Sequence, residues 1–482
     1  MAELPARARR TGPGLALDPD RLLPTEPAQR AIARDLYETV RALPLVSPHG
    51  HVDASVFAEN TPFPDPARLL VVPDHYVTRM LHSQGIALES LGIPRQDGGT
   101  SEADGRAIWR LFCANWHLFR ATPSRLWLEQ ELHDLFGVRV RPSAQTADEI
   151  YDAIAARLSA EEFRPRALYE RFGLEVLATT DSPLSPLDQH RRLREDPDWH
   201  GRIVPTFRPD SLVEITSPGW ADRVNQLSIL TRTDATAYAG FVEALQARRA
   251  AFKELGATAT DHGHTTADSE QLSDDDAQRI FEEALAGSVS AANAAAFRAH
   301  MLSEFARMSC EDGLVMQLHA GVHRDYDPGV YERFGADVGF DIPAATDYCR
   351  SLQPLLRRYG SHPNFTLVLF TVDETAFARE IAPLAGVYPA VRIGAPWWFL
   401  DAPMAMRRFR EATVETAGLY NSAGFVDDTR AFCSIPARHD VARRIDCGFL
   451  AQLVAEGQLP EDEAAQTAID ITYTLPKQVF RL

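Results

Sequence analysis

The stretch LPLVSPHGHVDA, residues Leu43–Ala54, begins with a short apolar run and ends with two histidines that flank a glycine. Apolar runs of this length, without polar alternation, are typical of strands that are buried on both faces of a parallel sheet. Side chains two residues apart in an extended chain lie on one face, so His49 and His51 could bind the same metal ion. A single His-x-His motif is weak evidence, and its interpretation depends on the rest of the chain.

Seven further apolar runs follow along the chain, and each of them ends in polar or aromatic residues. They begin at Leu174, Arg202, Leu255, Gly313, Asn364, Tyr388 and Asn421. Between or after the later runs, three segments have apolar residues at helical spacing and end near a glycine: 347–360, 403–421 and 436–457. Eight short strands that alternate with helices predict an α/β fold, the (β/α)8 barrel or TIM barrel.

The distance between the first two runs is too long for an ordinary strand-to-helix connection, which has about 2–6 residues. The intervening residues contain three helical patterns, WRLFCANWHLF, SRLWLEQELHDLFG and ADEIYDAIAARLS. We therefore predict a helical insertion after the first strand, at residues 54–171. The barrel would then consist of residues 43–53 and 172–482, preceded by an N-terminal helical lead-in at residues 1–42.

The composition argues against several classes of partner and of chemistry. The formal net charge is −18, which disfavours nucleic acid and anionic membranes, because both bind basic patches. The five cysteines are scattered without any C-x-x-C spacing, and no apolar segment has the length of a signal peptide or of a membrane span. We therefore expect a cytoplasmic protein. Lys253 and Lys477 are the only lysines, so lysine-based catalysis has almost no candidates.

In a (β/α)8 barrel the active site lies at the C-terminal ends of the strands. Here these ends carry His49, His51, Thr180, Asp181, Arg208, Asp210, Asp261, His262, His264, His319, His323, Asp373, Glu374, Trp397, Trp398, Asp427, Asp428 and Arg430. The first and last strands of a closed barrel are neighbours, so Asp428 could join His49 and His51. Two histidines and one aspartate leave positions open for water or substrate, which is typical of a catalytic metal ion.

The sequence resembles the uronate isomerases, the glucuronate/galacturonate isomerase family of the amidohydrolase superfamily. The most specific similar segment is DDTRAFCSIPARHDVARRI, residues Asp427–Ile445. Further similar segments, in the same order, are HGHVD (49–53), DHYVTRMLHSQGI (74–86), TTDSPLSPLDQH (179–190), FRPD (207–210), ATDHG (259–263), MQLHAG (316–321), GADVGFD (335–341) and WWF (397–399). The segments His323–Gly329 and Thr472–Phe480 differ from the family pattern, so we interpret the chain as a divergent member.

The resemblance implies a barrel of the metal-dependent hydrolase type that converts D-glucuronate to D-fructuronate, D-galacturonate to D-tagaturonate, or both. It implies a small sugar acid as substrate, and we expect a homo-oligomer. His49, His51 and Asp428 would bind one divalent metal ion, with Zn²⁺ expected and Mn²⁺ as the alternative. Many superfamily members bridge two metal ions with a carboxylated lysine, and no lysine follows a strand here. A single ion is therefore expected.

The resemblance also implies roles for the other candidates. Tyr76 and Arg430 would act at the reacting carbons together with Asp428, and Arg208 would bind the substrate carboxylate. The remaining substrate-binding candidates are His319, Asp261, Trp397 and Trp398. No family role is assigned to His262, His264 or His323, which we expect to be solvated or to lie behind the site.

The residue types suit an aldose–ketose isomerisation independently of the resemblance. Moving a proton between adjacent carbons through an enediol requires a base and an acid within hydrogen-bond reach. Asp428 or Tyr76 could be the base, and the sequence does not decide between them. Arg430 could stabilise the enediolate, because a guanidinium stays charged and binds two oxygens at once. A metal ion could chelate the substrate carboxylate and the neighbouring hydroxyl, and so orient the sugar.

Other interpretations of the same residues remain open at this point. A hydrolase of the same superfamily, acting on a sugar-acid lactone or ester, would use the same ligands to activate water. A barrel that binds sugar acids without catalysis would lack metal ligands, and the intact His-x-His and Asp428 argue against it. Tyr76 and both tryptophans could simply be packing residues, and Arg208 could pair with Asp210.

Overall fold

The computed structural model describes residues 14–482 and contains a curved parallel sheet of seven strands. The strands of the described residues, in chain order, are β1 (Leu45–Ser47), β2 (Leu174–Asp181), β3 (Ile203–Phe207), β4 (Ala259–His262), β5 (Val315–His319), β6 (Val322–His323), β7 (Ile342–Pro343), β8 (Leu367–Phe370) and β9 (Val391–Ile393). The sheet has the order β1-β2-β3-β4-β5-β8-β9, and every pairing in it is parallel. Each of the seven strands of this sheet begins within one of the first seven apolar runs predicted from the sequence.

Burial on both faces explains why these runs show no polar alternation. In β5 all five residues are buried: Met316 and Leu318 pack in the hydrophobic layer beneath the outer helices, whereas Val315 packs in a different cluster. In β4 successive side chains also point to opposite faces of the sheet, so Asp261 lies on one face and Thr260 and His262 lie on the other. Parallel register then places Asp261 opposite Gln317 and His319 opposite Phe370, so polar side chains collect at the C-terminal ends.

The eighth predicted strand is an extended but irregular segment, and the prediction of a regular strand there is wrong. Its backbone pairs with β9 only around Ser422, where the Ala423 amide donates to the Ile393 carbonyl over 2.8 Å. Further along, the Thr429 carbonyl accepts from the His51 amide over 3.0 Å, which joins the segment to the end of the first strand. Gly424 and Asp428 have φ of 75° and 38°, and such left-handed residues interrupt a ladder of hydrogen bonds. The molecule is a (β/α)8 barrel closed by this irregular segment.

Helices surround the sheet and connect its strands. In chain order they are α1 (Pro27–Val40), α2 (Ala54–Glu59), α3 (Pro66–Leu70), α4 (His75–His82), α5 (Gly105–Ala114), α6 (Pro123–Gln130), α7 (Ala147–Leu158), α8 (Pro165–Arg171), α9 (Asp188–Glu195), α10 (Asp210–Val213), α11 (Trp220–Thr231), α12 (Tyr238–Glu254), α13 (Asp274–Leu285), α14 (Ala291–Asp312), α15 (Pro328–Phe334), α16 (Tyr348–Ser351), α17 (Gln353–Tyr359), α18 (Ala382–Val387), α19 (Pro403–Ala417), α20 (Ile435–Ala455), α21 (Glu461–Ile469) and α22 (Leu475–Phe480). None of these helices is both long and apolar enough to cross a membrane.

Seven helices, α2 to α8, lie between β1 and β2, where the sequence predicts a helical insertion. Their apolar side chains form a cluster that also includes barrel residues such as Leu177 and Ile203, so the insertion packs directly on the barrel. Helix α1 lies within the predicted lead-in, of which residues 1–13 are outside the described part of the chain. The exact division at residues 42, 54 and 171 stays a prediction.

A small antiparallel hairpin of β6 and β7 follows β5, and helix α15 lies in its loop. The sequence does not predict this hairpin, because its strands have two residues each and show no hydrophobic period. It carries Arg324, Asp337 and Asp341, all of which line the cavity described next. The hairpin therefore contributes to the site although it is not part of the barrel sheet.

Candidate active site and metal centre

A cavity of about 610 Å³ lies at the C-terminal ends of the barrel strands. All ten residues that the sequence predicts for the site line this one cavity: His49, His51, Tyr76, Arg208, Asp261, His319, Trp397, Trp398, Asp428 and Arg430. They come from the ends of five strands (β1, β3, β4, β5 and β9), from helix α4 of the insertion and from the closing segment. The fold therefore brings together residues that lie up to 381 positions apart, from His49 to Arg430.

The two histidines after β1 point at a single carboxylate oxygen. Atom Nε2 of His49 lies 3.4 Å from Oδ1 of Asp428, and Nε2 of His51 lies 3.0 Å from the same oxygen. Burial alone would raise the pKa of Asp428, but the two histidines outweigh it and hold that pKa well below the usual range. Two imidazole nitrogens and a carboxylate oxygen that converge in this way are a suitable donor set for a divalent cation.

A second group of donors shares His49 with the first. His319 and Asp261 are both almost fully buried, and Nδ1 of His319 lies 2.6 Å from Oδ1 of Asp261. This contact leaves Nε2 of His319 without a protein partner among the described residues, while the ring stacks on that of His49 at 4.8 Å. Carboxylate–histidine pairs of this kind orient an imidazole so that its free nitrogen can meet a metal ion or a substrate.

Arg208 is held at the cavity wall by two carboxylates. Its Nε donates to Oδ2 of Asp210 over 2.8 Å, and its Nη1 lies 3.2 Å from Oδ2 of Asp261. Burial disfavours the charged form, but the two carboxylates outweigh it and raise the pKa of Arg208 above its ordinary value. A side chain at Gly263 would place its Cβ 2.4 Å from Nη2 of Arg208, so a larger residue there would displace the guanidinium. Arg208 therefore forms the ion pair with Asp210 that the sequence analysis gave as an alternative, and it also lines the cavity.

Tyr76 is the second residue of α4, and its hydroxyl donates to the carbonyl of Trp398 over 3.0 Å. The helix begins here because the side chain of Asp74 accepts from the Tyr76 amide over 2.9 Å, which is a helix N-cap. Burial raises the pKa of Tyr76 well above its ordinary value, and the nearby Arg438 only partly offsets this. At neutral pH the phenol therefore keeps its proton and is a donor.

Arg430 follows the closing segment and forms an ion pair with Asp337 of the β6–β7 hairpin loop. Burial raises the pKa of Asp337, but the Arg430 guanidinium outweighs burial, and the pKa falls to about 2. The pair connects two loops that the barrel sheet does not join. Arg430 is therefore fixed at the cavity mouth with a carboxylate on its outer side.

Trp397 and Trp398 follow β9 and form one wall of the cavity. The ring of Trp397 lies 4.7 Å from that of His319, and the ring of Trp398 lies 4.4 Å from that of Tyr76. Both side chains are buried, so they pack against protein atoms and also line the cavity. Their packing fixes the orientation of His319 and Tyr76.

Six further polar residues line the cavity that the sequence analysis does not identify. They are Asp74, His75, Arg324, Asp337, Asp341 and Thr429. Asp74 and His75 directly precede Tyr76 in the segment 74–86, and Asp337 and Asp341 lie in the segment 335–341. Both segments resemble the family, and this resemblance could have identified these four residues. With these additions three arginines and five aspartates line the cavity, and this excess of negative charge favours a bound cation.

The sequence profile of the glucuronate isomerase family matches residues 26–480, almost the whole chain. The chain belongs to the glucuronate isomerase family. One relative is the uronate isomerase of Rhizobium meliloti, which is 53% identical over 97% of this chain and 99% of its own length. At this level of identity the match extends well beyond the barrel architecture that unrelated enzymes share.

Two solved structures of this family are similar to the present one over nearly their full length. The glucuronate isomerase from Caulobacter crescentus has a TM-score of 0.95 and 46% identity, with 97% of each chain covered. The uronate isomerase from Thermotoga maritima has a TM-score of 0.90 and 29% identity, and covers 96% of this chain and 99% of its own. Glucuronate isomerases of this kind therefore share both the barrel and the helices inserted after β1.

Proposed function

We propose that this glucuronate isomerase family member converts D-glucuronate to D-fructuronate, D-galacturonate to D-tagaturonate, or both, by proton transfer through an enediol. The observation that carries the proposal is the convergence of His49, His51 and Asp428 beside Tyr76 and Arg430 in one cavity. The identity of 53% to a uronate isomerase over nearly the full length supports the same reaction.

The donor atoms fit one divalent metal ion held by His49, His51 and Asp428. Zn²⁺ suits two imidazoles and a carboxylate, and Mn²⁺ is the alternative ion. When bound, the ion supplies positive charge that orients the sugar acid by its oxygen atoms. It also compensates the excess of carboxylates in the cavity wall.

The residues of the chain provide the proton transfer. Tyr76 keeps its proton at neutral pH and donates it toward a sugar oxygen. The carboxylate of Asp428 is ionised and is the proposed base. Arg430 stabilises the charge that develops on the enediolate, while Arg208 and the Asp261–His319 pair bind the sugar acid and the tryptophans exclude water.

The test is incubation of the purified protein, loaded with Zn²⁺ or Mn²⁺, with D-glucuronate or D-galacturonate in D₂O. We expect the ketose to form and deuterium to appear at C2 of the recovered aldose. The variant His49→Ala should lose activity and should bind at least one ion fewer per chain than the wild type. His133→Ala is the matched control, because His133 lies on the surface with Asp134 and should keep both. If His49→Ala binds as many ions per chain as the wild type, the ligand assignment is wrong.

A hydrolase acting on a sugar-acid lactone or ester remains the second candidate on site chemistry alone. The full-length identity to uronate isomerases does not favour it. Turnover of a lactone, with no ketose from either hexuronate, would contradict the isomerase proposal.

The setting of the enzyme is also a proposal. We infer a cytoplasmic enzyme that acts on small sugar acids, because the five cysteines are free thiols, which fits a reducing compartment. A homo-oligomer is a further part of the proposal. Light scattering of the purified protein measures the assembly directly.

A further inference from the structure

The chain contains a second His–Gly–His motif. His262–Gly263–His264 at the end of β4 has the same order as His49–Gly50–His51 after β1. The strand alternation turns Asp261 into the cavity and His262 to the opposite face, where its ring lies 4.9 Å from that of Phe305. The second motif therefore lies behind the cavity wall, where the isomerase chemistry does not use it.

Of the two expectations, solvated or behind the site, both imidazoles meet the second: they are removed from water, and most of their ring nitrogens lack partners among the described residues. His262 and His264 are 0% and 2% exposed. Nε2 of His262 lies 2.9 Å from Oγ1 of Thr260, which leaves Nδ1 free; neither ring nitrogen of His264 has a partner among the described residues. A buried polar atom without a partner destabilises the folded state, so several unpaired nitrogens in one place require an explanation.

The state of these rings suits metal binding. The free ring nitrogens of His262 and His264 contact no donor or acceptor among the described residues, so each can offer a lone pair to an ion. The contact of His262 with Thr260 also matches the usual arrangement of a metal ligand, in which the nitrogen away from the ion is hydrogen-bonded to a neighbour.

Asp210 completes the cluster. Its Oδ1 lies 4.0 Å from Nε2 of His264, and one donor atom from each of Asp210, His262 and His264 lies within 4.8 Å of the others. Donors around a tetrahedral Zn²⁺ are about 3.3 Å apart, so binding an ion would require these atoms to move closer together. The carboxylate is itself oriented by Nε of Arg208 and the amide of Gly263, at 2.8 and 3.0 Å.

We propose that Asp210, His262 and His264 form a second binding site for a divalent transition-metal ion of the Zn²⁺ type, separate from the site at His49. Two imidazoles and a carboxylate are a donor set of that class. Asp210 and Gly263 also line a wide outer cavity that borders the cluster. The ion would hold Asp210 and, through it, Arg208. The proposal does not depend on the isomerase reaction.

The test is the stoichiometry of Zn²⁺ bound to the metal-stripped full-length protein, measured by competition with a chromophoric chelator and by elemental analysis. We expect two ions per chain in the wild type, one in His264→Gln, one in His51→Ala and none in the double variant. His133→Gln is the matched control and should bind two. Circular dichroism verifies that each variant is folded.

A spectroscopic measurement keeps the test independent of the His264 variant. In His51→Ala, where the first site is disabled, one equivalent of Co²⁺ should still produce the intense visible absorption of a nitrogen- and oxygen-ligated ion of low coordination number. A wild-type protein that binds one ion, a His264→Gln variant that binds two, or a His51→Ala variant without this absorption overturns the proposal. In that case His264 is a buried imidazole that packs near Asp210 without an ion.

Discussion

At the scale of single residues, Tyr76 is the side chain whose protonation state matters most for the proposed reaction. Its hydroxyl is buried against the Trp398 carbonyl, and its raised pKa keeps the proton on the phenol. The sequence left open whether Tyr76 or Asp428 is the base, because the pKa of a tyrosine depends on burial, which a sequence does not display. The structure supports Asp428 as the base and Tyr76 as the donor.

The variant Tyr76→Phe should lower kcat by about 100-fold or more, because it removes one proton-transfer group and preserves the ring. The packing against Trp127 and Trp398 depends on that ring, so the thermal midpoint should change little. Steady-state kinetics and circular dichroism measure the two effects. Tyr420→Phe is the matched control, since its hydroxyl contacts Asp470 at the surface and its loss should leave kcat unchanged. A kcat within threefold of the wild type would refute the role of Tyr76.

A second residue-scale prediction concerns His190 on α9, which is buried and contacts Oγ1 of Thr179 through Nε2. Burial lowers the pKa of His190 to about 4, below the value of 6.5 expected in the unfolded chain. Between pH 6.5 and 4 the unfolded chain therefore binds the proton and the folded protein does not. This difference reduces stability as the pH falls.

The variant His190→Asn should lose less stability on acidification than the wild type, by about 2 kcal/mol between pH 7 and pH 5. Urea unfolding at both pH values and one protein concentration measures this difference. The neighbouring Asp181, whose pKa burial raises to about 6, has the opposite dependence, but it is present in both proteins and cancels. Parallel pH curves for the two proteins would show that His190 is not the titrating group.

At the scale of elements, Arg438 connects α20 to the insertion and to the loop after β9. Its Nη1 donates to Asp401 over 2.6 Å, and its guanidinium stacks 3.6 Å from the centroid of Trp127 on α6. Both charged partners are almost fully buried. The Arg438–Asp401 pair therefore holds the loop after β9, which carries Trp398, against the helical insertion, which carries Tyr76.

The variant Arg438→Leu should lower the free energy of unfolding by about 3–5 kcal/mol, because it leaves the Asp401 carboxylate buried without a partner. The double variant Arg438→Leu, Asp401→Leu should recover much of the loss. Denaturant unfolding measures all three proteins. The control is Arg408→Leu, whose partner Glu374 is on the surface and whose loss should cost less than about 1 kcal/mol. A double variant as unstable as the single one would contradict this account.

The elements also show what the sequence could predict. Seven apolar runs predicted strands correctly, because burial on both faces leaves a clear apolar signature. The run from Asn421 carried the same signature, but positive φ at Gly424 and Asp428 prevents regular pairing. All ten predicted site residues line the cavity, since they follow strand ends or family motifs. Arg324 escaped prediction because it lies on a hairpin whose two-residue strands have no period.

At the scale of the whole molecule, the cavity combines five aspartates with three arginines, and this surplus of negative charge opposes folding in the absence of a cation. Binding to the folded state alone stabilises a protein by about 4 kcal/mol when the ion is present at 1,000 times its Kd. We therefore expect chelator-treated protein to unfold at a lower temperature than protein supplied with Zn²⁺.

Differential scanning calorimetry with and without added Zn²⁺ measures this effect. The variant His51→Ala should lose a large part of the response, because Nε2 of His51 is one of the converging donors. Asp97→Asn is the matched control, since Asp97 pairs with Arg95 on the surface and should leave the response unchanged. Equal midpoints for stripped and loaded wild-type protein would refute a structural contribution of the ion.

The closing segment has a consequence for synthesis on the ribosome. The carboxylate that completes the His49 site, Asp428, is made roughly 380 residues after the first histidine, which takes about 20 to 75 seconds at 5–20 residues per second. Until then β1 and β9 are the open edges of a nascent sheet, because the segment from Ser422 to Thr429 contacts both. The growing chain must therefore protect two strand edges, and it can assemble this metal centre only near the end of translation.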